Sequence, residues 1–208
     1  MKGKRNPFVA HEGIPWLIAV AVVFGVVYQF ADAIFLLIPF FVFVWLYAIF
    51  RDPRRIIPAV PLGVVSPVDG VIREVGLTDQ SVLGGDAHRI VIDVDSLGTY
   101  TARSPVEGKI MDFRGDGNGE SVRKLSSGLW LQTDEGHDVV LQFKRHRFGL
   151  APLAFLHFGE RIGQGQRCAY LRLTRVAEVQ FPIHGRMLVE PGQRVMAGRD
   201  LLGKLPPH

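Results

Sequence analysis

Ile14-Pro-Trp-Leu-Ile-Ala-Val-Ala-Val-Val-Phe-Gly-Val-Val-Tyr-Gln-Phe30, then Ala31-Asp32-Ala33, then Ile34-Phe-Leu-Leu-Ile-Pro-Phe-Phe-Val-Phe-Val-Trp-Leu-Tyr-Ala-Ile-Phe50: Asp32 is the one charged residue in this stretch. A membrane span takes ~20 apolar residues and tolerates ~17, and each run falls near that limit. As helices, both runs would satisfy their backbone polar groups internally, which lipid requires. The economical reading is two antiparallel spans turning at Asp32. Lys2, Lys4 and Arg5 precede the pair, and Arg51, Arg54 and Arg55 follow it. Positive-inside bias then keeps both ends in the cytoplasm and puts Asp32 outside. Pro39 leaves a second arrangement open, a shallow re-entrant hairpin kinked at the proline. The bland alternative is a buried helical hairpin of a soluble protein, against which both runs are apolar on every face, as a membrane span is. A cleaved signal peptide would have a small-residue cleavage site and no second run. The sequence therefore describes an anchored protein.

Working outward, residues 1–55 form the anchor with its basic flanks and residues 56–208 the remainder, long enough for one domain with its own core. The formal net charge is +4, and beyond the anchor arginine far outnumbers lysine. Guanidinium groups suit phosphate, and an anionic phospholipid surface attracts such a domain. No basic run is interleaved with aromatics, so nucleic acid is not an expected partner. The single cysteine, Cys168, excludes an internal disulfide and a cysteine-cluster metal site. It reads as a small buried hydrophobe. His137, His157 and His184 are too scattered for a ligand set, so no metal is expected.

After a proline-containing linker (56–64), the pattern changes to short β-type runs broken by Gly and Pro. Strands are predicted at Gly70–Gly76, His88–Val94, Gly108–Phe113, Leu129–Thr133, Val139–Phe143, Cys168–Leu173, Glu178–Phe181 and Arg186–Val189. Gly115-Asp-Gly-Asn-Gly119 reads as a turn, with no strand-then-helix context for a phosphate cradle. The sequence also echoes itself. Ser66-Pro-Val-Asp-Gly-Val-Ile72 matches Ser104-Pro-Val-Glu-Gly-Lys-Ile110, and Phe181-Pro-Ile-His-Gly-Arg-Met187 repeats the theme. Phe158-Gly-Glu-Arg-Ile-Gly-Gln-Gly-Gln-Arg-Cys168 parallels Val189-Glu-Pro-Gly-Gln-Arg-Val-Met-Ala-Gly-Arg-Asp-Leu201. Hairpins of this kind build the small barrels of biotinyl and lipoyl carrier domains. The fold class is thus mainly β, a two-helix transmembrane hairpin followed by a β-sandwich or barrel with biotinyl/lipoyl-like hairpin repeats. Carrier chemistry would need a lysine at a hairpin tip. Lys109 instead reads as an outward strand residue.

The order of these pieces resembles the phosphatidylserine decarboxylase family, in particular its short membrane-anchored bacterial proenzymes. The likeness runs from Phe50-Arg-Asp-Pro-Arg-Arg55 through Val65-Ser-Pro-Val-Asp-Gly70 and Arg103-Ser-Pro-Val-Glu-Gly108 to Gly159-Glu-Arg-Ile-Gly163, Arg172 and Pro182. The resemblance implies a bacterial cytoplasmic membrane location with the soluble domain facing the cytoplasm, and a chain that can pair with a second copy. It also implies a chemistry. The family's serine, in a Gly-Ser pair, cleaves its own chain and becomes an N-terminal pyruvoyl group, the electron sink for decarboxylation. A His and an Asp assist, so the set is triad-like.

Asp69 matches the family's aspartate, but Tyr100 stands at the histidine position, and a phenol of pKa ~10 is a poor base at neutral pH. The family's Arg-Phe-Gly-Ser-Arg-Val corresponds to Arg172-Leu-Thr-Arg-Val176. Ungapped, Thr174 and Arg175 replace Gly-Ser; with one gap, Thr174 takes the serine's place behind Leu173. Cleavage at Thr174 would leave a ketobutyryl group, and Leu173 would crowd the turn. No cofactor is expected, and a pyruvoyl-type group only if self-cleavage occurs. Lys144, Arg145 and Arg147, after Val139-Val-Leu-Gln142, are the candidate lipid-binding residues. Asp69 and Thr174 are the candidate catalytic ones. Three functions follow: a non-cleaving relative that binds phospholipid, a working decarboxylase processed at Thr174, and a membrane-tethered scaffold subunit without lipid chemistry.

Overall fold

The computed structural model describes residues 8–30, 32–79, 81, 84–113, 128–146, 150, 152–154 and 156–207. The chain divides into a helical unit that ends at Arg54 and a β unit that begins at Arg55.

In the helical unit, α1 (Ile14–Phe30) and α2 (Leu37–Phe50) are apolar on every face. Counting their short 3₁₀ lead-ins, His11–Phe30 and Ala33–Phe50 are both long and apolar enough to cross a membrane. Pro39 falls in the first turn of α2, directly behind the 3₁₀ segment Ala33–Leu36. The two ends of the hairpin are tied together. Ala10 N donates to Phe50 O at 2.9 Å, Asp52 N donates to Phe8 O at 2.8 Å, and Val9 and Arg51 form a β-bridge. Arg54 lies over the Phe8 ring, 5.3 Å from its centroid. Gly13 allows this closure, because a Cβ there would sit 2.3 Å from Phe50 Cγ.

The β unit contains β1 (Gly63–Val65), β2 (Gly70–Thr78), β3 (Ala87–Val94), β4 (Thr101–Arg103), β5 (Gly108–Phe113), β6 (Gly128–Gln132) and β7 (Asp138–His146). It continues with β8 (Leu153–Ala154), β9 (Arg161–Ile162), β10 (Arg167–Tyr170), β11 (Thr174–Pro182), β12 (Arg186–Met187), β13 (Arg194–Val195) and β14 (Leu201–Lys204). The main sheet runs β13-β2-β3-β11-β7-β6-β5-β9, and two three-stranded sheets run β1-β14-β12 and β4-β10-β8. The core between them is mostly aliphatic, with Phe181 among its members: Ile72, Ile90, Ile92, Ile110, Leu129, Leu131, Leu141, Val179 and Leu202 are all buried with it.

The sequence echo is a structural repeat. Ser66 Oγ and Ser104 Oγ each donate to the carbonyl two residues on, Val68 O and Val106 O, both at 2.7 Å. Gly70 and Gly108 then open β2 and β5 where a Cβ would lie 2.1 Å from Asp93 O and 2.3 Å from Gln132 O. The two motifs also pair with each other, Val65 N to Pro105 O and Arg103 N to Pro67 O, both at 2.8 Å. The half-units follow suit. Gly198 N donates to Ser66 O at 2.7 Å and Gly165 N to Ser104 O at 2.8 Å, with φ of +69° and +67° at the two glycines. β13 flanks β2 as β9 flanks β5. The third echo is different: Pro182–Gly185 is a simple turn, with Gly185 N bonded to Pro182 O.

The predicted strand Cys168–Leu173 is corrected. Tyr170 ends β10, a turn follows at Leu171–Leu173, and Thr174 opens a new strand longer than the predicted Glu178–Phe181. Arg172 makes the break, at φ +50°, a left-handed conformation that ends strand pairing. The linker also holds more structure than predicted, since it runs into β1, which pairs with β14. Lys109 is an exposed residue of β5, as its position between Gly108 and Ile110 suggested. The 115–119 turn lies outside the described residues.

Candidate functional site

Asp69 sits in the turn between β1 and β2, and its side chain is 13 % exposed. Its carboxylate accepts three hydrogen bonds: from Arg55 Nη2 at 2.9 Å, Thr99 N at 3.0 Å and Ala197 N at 2.7 Å. Gly98 makes room for it, because a Cβ there would lie 2.7 Å from Asp69 Cβ. Tyr100 follows Thr99, and its ring packs on Tyr170 with centroids 5.8 Å apart. Its carbonyl accepts from Leu171 N at 2.9 Å, and Leu171 O accepts from Thr174 N at 3.1 Å. Two backbone hydrogen bonds and one from Thr99 N to the Asp69 carboxylate thus gather Asp69, Tyr100 and Thr174 into one locality, although they are far apart in sequence.

The chemical state of these groups matters more than their proximity. Thr174 is 6 % exposed, whereas Leu173 is 41 % exposed. Leu173 therefore turns outward rather than crowding the turn. The Asp69 carboxylate is held as an acceptor by groups that fix the fold. Arg103 lies beneath Gly198, where a Cβ would meet its Cδ at 2.8 Å, and it donates to Gly165 O at 3.1 Å. Burial, and then the like charge of Arg55, hold the Arg103 guanidinium below its usual range, while Asp69 and the Cys168 thiol oppose that shift. Burial pushes the Cys168 thiol up to about 12, so this cysteine behaves as the small hydrophobe it resembled.

A second polar group lies on the strand that Thr174 begins. The Glu178 carboxylate, 2 % exposed, accepts from Lys144 Nζ at 2.7 Å, Arg89 Nε at 3.1 Å and Gln180 Nε2 at 2.7 Å. Ser81 Oγ extends the chain to Gln180 Oε1 at 2.9 Å. Burial by itself would raise the Glu178 pKa. Hydrogen bonds from Lys144 and Gln180, the Lys144 charge and the Arg89 bond outweigh it and hold the carboxyl below the ordinary glutamate value. Sequence reasoning missed this network, because β-pairing alone brings Arg89, Lys144 and Glu178 together. The one available signal was a glutamate inside the β-type run Val176–Phe181. The candidate lipid-binding residues divide accordingly. Lys144 is engaged with Glu178, Arg145 is exposed with φ +59°, and Arg147 lies outside the described residues.

No family model matches the chain. Curated relatives do. The phosphatidylserine decarboxylase proenzyme of Symbiobacterium thermophilum is 32% identical, over 99% of this chain and 100% of its own length. That of Nitrosomonas eutropha is 30% identical, over 96% of both chains. The chain belongs to the phosphatidylserine decarboxylase family. Among solved structures, the glucose permease IIA from Mycoplasma capricolum covers 68% of this chain at 18% identity, with a TM-score of 0.49, too low to bear on fold or function.

Within the family's own pattern, the residues here do not fit formation of a pyruvoyl group. The family's Gly-Ser pair is absent. The hydroxyl offered, Thr174, is buried at a strand start, and Tyr100, which the resemblance sets at the histidine position, packs on Tyr170.

Proposed function

We propose that this chain is a membrane-anchored phosphatidylserine decarboxylase-like protein that acts in phospholipid metabolism by binding lipid, and that it remains one uncleaved polypeptide. The observation that carries this reading is the state of the processing locus. Thr174 is the one hydroxyl in Arg172–Val176, and it is buried at the start of β11. Asp69, the carboxylate of the family set, already accepts three hydrogen bonds. A hydroxyl becomes a good nucleophile only when a base takes its proton, and the Asp69 carboxylate is already engaged by Arg55, Thr99 N and Ala197 N. In this reading the hairpin α1–α2 anchors the chain in the bacterial cytoplasmic membrane with the β unit on the cytoplasmic side. Lys144, Arg145 and Arg147 meet anionic headgroups, and a second copy is a possible partner.

The test is the intact mass of freshly purified full-length protein. One species at 23.1 kDa supports the reading. Two chains split at Thr174, the smaller with a blocked amino terminus, would overturn it. The lipid-binding half is tested by binding to anionic vesicles with and without replacement of Lys144, Arg145 and Arg147. Binding that is absent, or indifferent to the replacements, removes it.

One observation favours a second reading, an active decarboxylase that forms phosphatidylethanolamine after cleavage at Thr174. Arg172 holds a left-handed conformation two residues before the threonine, and backbone strain of that kind gathers at functional sites.

A further inference from the structure

Several strand ends meet at one edge of the β unit. The registers Val176↔Asp93 and Thr174↔His146 align the end of β3, the start of β11 and the end of β7. The small sheet reaches the same edge through Tyr170, which pairs with Leu153 on one side and Thr101 on the other. Leu171 N, bonded to Tyr100 O, extends the β10–β4 pairing, and Thr174 N, bonded to Leu171 O, opens β11 of the main sheet next to it.

This edge carries leucines in water. Leu97, in the Asp95–Gly98 turn, is 56 % exposed, Leu153 is 44 % exposed, and Leu173, in the turn before β11, is 41 % exposed. One exposed leucine is ordinary, but three gathered at one edge mark an interaction surface. Arg145 and Arg175 are exposed beside them. The chain also enters the β unit here, since Arg55 bonds Asp69 and Asp69 bonds Thr99. The next residue, Ile56, is 90 % exposed.

We infer that this edge is a membrane-contact surface. Leu97, Leu153 and Leu173 enter the headgroup–acyl boundary of an anionic bilayer, while Arg145 and Arg175 meet lipid phosphates. Apolar side chains bordered by cations are the composition of interfacial membrane contacts, where burial and charge attraction add. Among the described residues at this edge, one exposed carboxylate, Asp95, whose Oδ1 accepts from Leu97 N at 3.1 Å, stands against the two exposed arginines, and a layer of phosphates matches that balance better than a neutral apolar protein face. Arg55, the first residue of the β unit after the hairpin, is itself bonded at this edge through Asp69. The inference rests on the membrane-bound reading above and adds a second contact, made by residues that are not part of the hairpin.

The test uses the full-length protein in phosphatidylcholine vesicles with and without phosphatidylglycerol. Environment-sensitive fluorophores are attached at Leu97→Cys, Leu173→Cys and, at the opposite end of β3, Asp86→Cys. The buried Cys168 leaves the background low. The expected result is blue-shifted emission at 97 and 173, quenched by spin-labelled lipid and strongest with phosphatidylglycerol, and no shift at 86. Arg145→Gln with Arg175→Gln should move the docked–undocked balance roughly thirtyfold, at ~1 kcal/mol per basic residue near such a surface. Labels at 97 and 173 as wet as the label at 86 would overturn the inference. So would burial that grows with protein density rather than with phosphatidylglycerol, which would assign the edge to a second copy. The mass measurement is separate. A cleaved chain with buried labels fails the functional reading alone, and an uncleaved chain with wet labels fails this surface alone.

Discussion

Arg55 donates to Asp69 across 2.9 Å, and this ion pair joins the first residue of the β unit to the turn that opens its first repeat. The same carboxylate holds the backbone at Thr99 and at Ala197, so three distant segments share one acceptor. The residue expected from the resemblance to be catalytic thus has a structural task in this fold.

Replacing Asp69 by Ala should therefore cost about 3 kcal/mol of stability, at ~1 kcal/mol for each bond lost. Asp69→Asn should cost less, because its amide oxygen still accepts one or two of them. Urea unfolding of the detergent-solubilised chain, followed by β-sheet circular dichroism, measures both. Wild-type stability in Asp69→Ala would refute the clamp.

The processing locus can be rebuilt. Leu173→Gly with Thr174→Ser restores the family's Gly-Ser pair but no base, and intact mass should still show a single chain. Adding Tyr100→His places an imidazole on the residue whose carbonyl already bonds Leu171 N, and partial cleavage into two chains is expected. If the double variant cleaves unaided, Tyr100 is not the missing element.

Glu178 sets an acid limit. Its folded-state pKa lies below the unfolded value of ~4.3. Its stabilisation is thus complete above the unfolded value and disappears as pH falls through the folded one. Melting temperature measured downward from neutral pH should drop across that acidic window. Glu178→Gln should be less stable at neutral pH and show a flatter acid limb. Parallel curves for the two proteins would remove Glu178 from the account.

Two glycines of β2 should respond oppositely to a methyl group. Gly70→Ala pushes a Cβ to 2.1 Å from Asp93 O, while Gly76 has nothing within 4 Å. Gly70→Ala should cost several kcal/mol, on the order of the ~1–3 of overpacking or more. Gly76→Ala should be neutral or stabilising by up to ~1. Thermal melts of the two variants decide it.

Much of this was legible in the sequence because its signals are local. Hydropathy marks the two helices, and the Ser-Pro-Val-x-Gly echo marks the repeat, since each serine bonds within its own turn. What stayed hidden depends on pairing across long distances. Nothing near Glu178 names Arg89 or Lys144 as its partners, and nothing near Thr99 names Asp69. The break before Thr174 was hidden for another reason. Arg172 adopts a conformation its residue type does not advertise, within a run that otherwise reads as one strand. Strands of two residues, such as β9 and β13, are too short to carry a period.

The pairing of β1 with β14 has a consequence for biogenesis. Among the described residues, Gly63–Val65 finds its sheet partner only in Leu201–Lys204, so the segment nearest the anchor waits for almost the whole β unit to be synthesised. The hairpin emerges from the ribosome long before that and can be handed to the insertion machinery while everything behind it is still open chain. Anchoring would then precede folding, and a nascent chain stalled short of Leu201 would be a tethered, unfinished β unit, a natural object for membrane-bound quality control.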